Sequence, residues 1–159
     1  MNKKSIINRL TKQIAEELAA ITAAAKATYD IATNEDNKPE NKYDTRSLEA
    51  SYLAGAQAQR VADMKEVHAI FENLPLKEFN ENSKISSTAL VELNQNEKIT
   101  FVLIMPKGGG QTCKFEGQQI QVITAESPLG KALIGKSCGD FFDLETGSTR
   151  REYEIISVS

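Results

Sequence analysis

Apolar positions in the first third of the chain recur at helical intervals. From Ser5 to about Thr33, the residues Ile7, Leu10, Ile14, Ile21 and Ile31 are separated by three, four or sums of the two, with Leu18 beside the stripe and Ala24 within it. A stripe this narrow predicts a helix that buries one seam against a single partner. A second stretch, Thr45 to about Leu74, supplies that partner through Leu53, Ala56, Val61, Met64, Val67, Phe71 and Leu74. Between them lies the charged segment 34–44, where Pro39 lacks a backbone N–H and pushes Lys38 out of the helical region, which fixes a turn. Asp44 or Thr45 is the candidate N-cap of the second helix. The pattern predicts a long antiparallel helical hairpin, a coiled coil over residues 1–75, with an acidic tip at 34–44.

Toward the tip the facing residues are small, with Ala20, Ala23, Ala24, Ala25 and Ala27 opposite Ala50, Ala54, Gly55, Ala56 and Ala58. Small residues let helix axes approach, so the distal hairpin is expected to be slender and its base, with Ile7, Leu10, Met64 and Phe71, thicker. An arm of about 29 residues at ~1.5 Å each spans about 43 Å, more than packing against the remaining half of the chain requires. Such a length implies reach.

Leu74-Pro75-Leu76 ends the second helix, and a linker over 76–83 leads into sequence rich in Val, Ile, Thr, Phe and Gly. Strands are predicted at Ser87–Leu93, Ile99–Met105, Gln119–Thr124, Asp140–Leu144 and Arg151–Val158, the last two joined through Glu145-Thr146-Gly147-Ser148. A short helix opens with Ser127 as N-cap and Pro128 at its first position and closes at Gly135. Gly108-Gly109-Gly110 reads as a flexible loop, since it lacks the phosphate-cradle spacing and no helix follows it. Residues 84–159 therefore form a small domain with one helix on an antiparallel sheet, and the fold class is α+β. Phe101, Phe115, Phe141, Phe142 and Tyr153 are expected in its core.

A net charge of −3 over 159 residues argues against a general electrostatic footprint on a nucleic-acid duplex but leaves room for a local basic patch. Cys113 and Cys138 lack C-x-x-C spacing and the sole histidine is His68, so four zinc ligands are not available and the thiols read as reduced and structural. The basic start Met1-Asn2-Lys3-Lys4 runs into Glu16-Glu17 without the apolar core of a signal peptide, and no apolar run approaches a membrane span. A cytoplasmic protein without membrane contact is expected.

The stretch Ser127-Pro128-Leu129-Gly130-Lys131-Ala132-Leu133-Ile134-Gly135-Lys136, followed by Gly139-Asp140 and by Tyr153-Glu154-Ile155-Ile156-Ser157-Val158, resembles the C-terminal domain of the bacterial Gre transcript-cleavage factors. The tip resembles the acidic motif of the same family through Asp36, Glu40, Asn41 and Tyr43. The resemblance implies an FKBP-like C-terminal domain at the mouth of the secondary channel of RNA polymerase core, with the hairpin tip reaching the active site. It implies that Asp36 and Glu40 act as metal ligands and catalytic carboxylates on a Mg²⁺ shared with the polymerase, the isolated protein binding no cofactor. Such carboxylates suit an ion that takes one or two of them together with phosphate and water. Asn41 and Tyr43 are the other tip contacts, and Lys26, Arg46 and Arg60 are candidates to approach the RNA 3′ end. Ser127, Pro128 and Leu129 are the implied polymerase contacts of the C-terminal domain. The factor would be a monomer and not itself an enzyme.

The tip departs from the family pattern. Asp36 and Glu40 stand four apart around Pro39, alignment on Glu40-Asn41 leaves Asn37 at the first acidic position, and Lys42 occupies the place of a second Glu. Whether Asp36 or Asn37 fills the distal metal position stays open, and so does the alternative of a non-cleaving channel binder that inhibits or tunes polymerase. A prolyl isomerase and a self-associating coiled-coil adaptor are the readings from other functional classes.

Overall fold

The computed structural model describes residues 1–33, 46–146 and 149–159. Two helices, α1 (Lys3–Thr33) and α2 (Arg46–Asn73), precede β1 (Leu90–Gln95), β2 (Lys98–Ile104), β3 (Thr112–Phe115), β4 (Gln118–Ile123), α3 (Pro128–Leu133), β5 (Phe141–Thr146) and β6 (Thr149–Val158). The fold is a long helical hairpin followed by a six-stranded mixed sheet. The chain divides into two compact units, Met1–Leu10 with Asn73–Ser159, and Thr11–Glu72.

Within the helical unit, the sheltered positions of α1 include Thr11, Ile14, Leu18, Ile21, Ala25, Thr28 and Ala32, a series that alternates steps of three and four. On α2 the matching series is Ala50, Ala54, Gln57, Val61, Met64, His68 and Phe71. This is the 3.5-residue period of a coiled-coil seam. It corrects the distal register inferred from large apolar residues. Ile31 and Leu53 are 59% and 53% exposed, whereas Leu18 is within the seam. Ala32 and Ala54, one position beyond those two, occupy the register instead, because small residues hold the distal seam and the larger neighbours fall to its flanks. Of the alanines expected to face one another, Ala25, Ala50 and Ala54 are sheltered, while Ala20, Ala23, Ala24, Ala27, Ala56 and Ala58 are exposed, as is Gly55. The hydroxyls of Thr22, Thr28 and Thr33 donate to the carbonyls of Leu18, Ala24 and Tyr29 at 2.7, 3.1 and 2.9 Å, satisfying these polar groups within their own helix.

In the other unit the strand order is β3-β4-β2-β1-β6-β5. The expectation of a wholly antiparallel sheet is corrected at one pairing, because β2 and β4 run parallel from Phe101↔Ile120 to Ile104↔Ile123. The cause is β3, which pairs antiparallel outside β4 and reverses the chain before β4 enters the sheet. Four residues following a glycine-rich loop give too short an alternation to reveal a strand, so sequence pattern alone missed it. A register irregularity between Glu92 and Leu93 lets β6 switch from Glu92↔Ser157 to Leu93↔Ile155.

One sheet face carries the core, with Val91, Leu93, Val102, Ile104, Ile123, Phe142, Tyr153 and Ile155 packed together with Leu133 of α3. Phe142 and Tyr153 stack at 5.3 Å between ring centroids, an aromatic contact worth about 0.5–1.5 kcal/mol beyond the buried area. Phe141, expected in the core, points the other way and is 58% exposed, because alternation along β5 sends only Phe142 and Leu144 inward. On the opposite face Leu103 and Ile120 are fully buried, as are Ile6 and Leu10 of the first turns of α1. Met1 shares a cleft with Leu90, Glu92, Phe101 and Ser157, so the start of α1 lies over that face.

The linker is clamped in the same unit. Lys77 N donates to Thr88 Oγ1 at 2.9 Å, and Lys3 Nζ donates to the Lys77 carbonyl at 2.5 Å while lying 4.7 Å over the Phe79 ring. Burial lowers the Lys3 pKa, an effect that the nearby Glu78 charge opposes.

Burial also raises the Cys113 thiol above its ordinary range, with the Arg9 charge pulling weakly the other way. A raised pKa means less thiolate at a given pH, and thiolate is the reactive form. Iodoacetamide at pH 8 should therefore alkylate Cys113 far more slowly than a free cysteine in the folded protein and at an ordinary rate in guanidinium, as read by mass spectrometry; equal rates in the two conditions would refute the assignment.

Candidate functional site

At the distal end of the hairpin α1 stops at Thr33, whose hydroxyl folds back onto its own helix, and α2 starts at Arg46. Asp36, Glu40, Asn41 and Tyr43, together with Asn37 and Lys42, lie outside the described residues, and so does the Arg46 side chain. Lys26 is exposed on α1. Arg60 Nη2 lies 3.6 Å from Glu17 Oε1, a surface ion pair that links the two arms in antiparallel register and is worth about 0–1 kcal/mol. Arg60 is thus partly engaged in holding the hairpin. Within the seam, Gln57 Oε1 is buried without a hydrogen-bond partner.

Sequence reasoning sought charge at this end and passed over its apolar surface. Tyr29, Ile31, Leu48, Tyr52 and Leu53 are between 53% and 73% exposed, on both arms next to the tip segment. The available signal was the scarcity of charged residues among them.

The second candidate region is the entry to α3. Ser127 Oγ accepts from Gly130 N at 3.1 Å and donates to the Thr124 carbonyl at 2.7 Å, so one hydroxyl caps the helix and holds the preceding turn. Pro128 follows at the first helical position and is exposed, while Leu129 and Ala132 pack against the core. Gly130 is required for a reason the sequence does not display: a Cβ there would sit 1.9 Å from the Thr124 carbonyl oxygen. Closing the helix, Gly135 takes a φ of +82° and donates its N–H to the Ile85 carbonyl at 2.9 Å. The structure thus holds Ser127, Pro128 and Leu129 in one fixed turn.

Elsewhere Phe141 lies between a groove of about 550 Å³ lined by Asp143, Arg150 and Glu152 and one of about 230 Å³ lined by Asn94, Asn96 and Glu154. Arg150 donates to Asp143 across the β5–β6 hairpin, which holds the Asp143 carboxyl below its usual range. Among the described residues no group of three or more His, Cys, Asp and Glu is arranged to hold a metal ion, and no helix is long and apolar enough to cross a membrane.

Residues 82–159 match the family described as transcription elongation factor, GreA/GreB, C-terminal. Over 149 residues the chain is 26% identical to transcription elongation factor GreA of Rickettsia canadensis, covering 92% of this chain and 79% of that protein. It is 23% identical over 158 residues to transcription inhibitor protein Gfh1 of Thermus aquaticus, covering 98% and 93% of the two chains. A crystal structure of the GreA factor homolog 1 protein of Thermus thermophilus aligns with 94% of both chains at 18% identity and a TM-score of 0.38.

Replacing Gly130 by Ala should destabilise the sheet domain by about 1–3 kcal/mol, since the new methyl must displace backbone. Chemical denaturation followed by the fluorescence of its tyrosine measures this; a midpoint equal to wild type would show that the turn relaxes freely.

Proposed function

We propose that this chain, whose residues 82–159 match the GreA/GreB family, is a transcription elongation factor that binds RNA polymerase core. The single observation that carries this reading is the match of that segment to the family, extended by likeness to an elongation factor over 92% of the chain. The hairpin is the part that enters the secondary channel, and the turn at Ser127, Pro128 and Leu129 belongs to the part that stays at its mouth.

Physical chemistry assigns the residues their work. Asp36 and Glu40 supply oxygen donors of the type a Mg²⁺ ion accepts, and the polymerase and the transcript supply the rest of its shell. When bound, that ion supplies charge neutralisation for hydrolysis of the backtracked RNA. The chain's own contribution is to bring these carboxylates, which lie in sequence between α1 and α2, to the polymerase at the end of two long helices. Lys26 and Arg46 are the cations nearest the tip along the two arms and suit the phosphates of the RNA 3′ end.

A non-cleaving, inhibitory binder is the second reading. It is favoured by Lys42 in the place of an acid and by likeness to a protein named as a transcription inhibitor. The two readings part in a cleavage assay on a stalled elongation complex. We expect the wild-type protein to stimulate Mg²⁺-dependent cleavage and the Asp36→Asn/Glu40→Gln variant to lose at least ~100-fold of that stimulation, in the range seen for loss of a positioned catalytic group. Wild-type protein that binds the complex yet suppresses cleavage establishes the inhibitory reading instead.

A further inference from the structure

The distal part of the hairpin is poor in charge. Between Ala20 and Thr33 the sequence has Lys26 and Asp30, and between Arg46 and Ala58 it has Arg46 and Glu49. Nearer the base the helices are densely charged, with Lys3, Lys4, Arg9, Lys12, Glu16 and Glu17 on α1 and Arg60, Asp63, Lys65, Glu66 and Glu72 on α2. A pair of helices that spends its life in water carries charge on its outer faces along its whole length. Here the exposed positions of the distal part are mostly small residues, and among them stand Tyr29, Ile31, Leu48, Tyr52 and Leu53, all more than half exposed.

These side chains do not repair the seam, whose distal register belongs to Ala25, Thr28 and Ala32 on α1 and Ala50 and Ala54 on α2. Leu48 and Tyr52 are four apart and share one side of α2, where Tyr52 is 73% exposed. We propose that Tyr29, Ile31, Leu48, Tyr52 and Leu53 form an apolar belt that docks against the protein wall of the polymerase channel, so that burial of this belt, rather than charge, grips the inserted hairpin. The proposal rests on the channel-binding reading above and names the surface that reading leaves unassigned.

Three observations select a protein wall as the occupant. The four distal charges sum to zero, so beyond the RNA 3′ end assigned to Lys26 and Arg46 a phosphate backbone, which demands cations, is a poor counterpart of this surface. Exposed tyrosines are enriched at the well-packed centre of protein interfaces, where a few aromatic anchors carry most of the affinity. The belt residues flank segment 34–45 on both arms, all within eight residues of it in sequence, so they lie on the part of each arm nearest the end that the channel-binding reading inserts.

The test is a binding titration of full-length protein with core RNA polymerase, read by fluorescence anisotropy at low and high salt, with circular dichroism to confirm equal helix content. The Tyr29→Ala/Tyr52→Ala variant should bind at least ~10-fold more weakly than wild type. The Lys12→Ala/Lys65→Ala variant, changed at exposed sites nearer the base, should bind as wild type does, and wild-type affinity should change little with salt. A tyrosine variant that binds like wild type overturns the belt and leaves the channel-binding reading standing. A steep fall of wild-type affinity with salt also overturns it, in favour of charge. Sedimentation that shows a wild-type dimer abolished in the tyrosine variant makes a second copy the occupant and overturns the assignment to the channel wall. Wild-type protein that does not bind core polymerase at all removes the reading on which the proposal rests.

Discussion

The helical unit depends on a seam of alternating three- and four-residue steps, a spacing that keeps one face of each long helix toward its partner. Large side chains fill it at Ile14, Ile21, Met64 and Phe71, and small ones at Ala25, Ala32, Ala50 and Ala54. Packing free energy scales with the apolar area removed from water. The contribution per turn therefore falls toward the tip, where an alanine pair replaces a pair of isoleucine-sized residues. The buried carbonyl oxygen of Gln57 without a partner lowers it further, since an orphaned acceptor forfeits its hydration. The distal arms therefore gain less from their mutual contacts than the segments around Ile14 and Phe71 do.

The sheet unit solves a different problem, that of burying both faces of one sheet. Its core face is closed by α3, through Leu133 and the neighbouring Leu129 and Ala132. The opposite face is closed by the opening turns of α1, whose Ile6 and Leu10 are fully buried. Lys3 marks how closely this end is joined to the linker, since its ammonium group gives up part of its hydration to reach the Lys77 carbonyl and the Phe79 ring. The turn at Ser127 and Gly130 follows the same logic at smaller scale. A hydroxyl satisfies the helix end, and the absence of a side chain lets two backbones touch.

Features that repeat along the sequence were legible, and those that depend on one spatial neighbour were not. The helices, the strands β1, β2, β4, β5 and β6, and the Ser127-Pro128 cap all announce themselves by period or by a residue with a stereochemical preference. Strand β3 does not, because four residues cannot display a period, and with it went the parallel pairing of β2 and β4. Ile31 and Leu53 mislead because hydrophobicity alone does not give burial: in a coiled coil the register decides, and Ala32 and Ala54 hold those places in the seam. The need for glycine at position 130 is visible only when the Thr124 carbonyl is seen beside it. Phe141 looked like core from its composition and is surface by the alternation of its strand. The tip carboxylates rest on likeness to a family and on no periodicity, and they lie outside the described residues.

The central pairing of the sheet has a consequence for how the chain is assembled. Strand β1 lies between β2 and β6, and β6 follows the other five strands in chain order, so Val91 must wait for Val158 before its second edge is closed. Pairing at such sequence separation carries a high loop-closure cost and is slow, while helices need only near neighbours and form early. During synthesis the two arms can thus be complete while β1 and β2 still show an open edge to the cell. Adhesion to other nascent chains is a hazard confined to that interval, and it ends when the ten residues of β6, Thr149–Val158, pair into the gap.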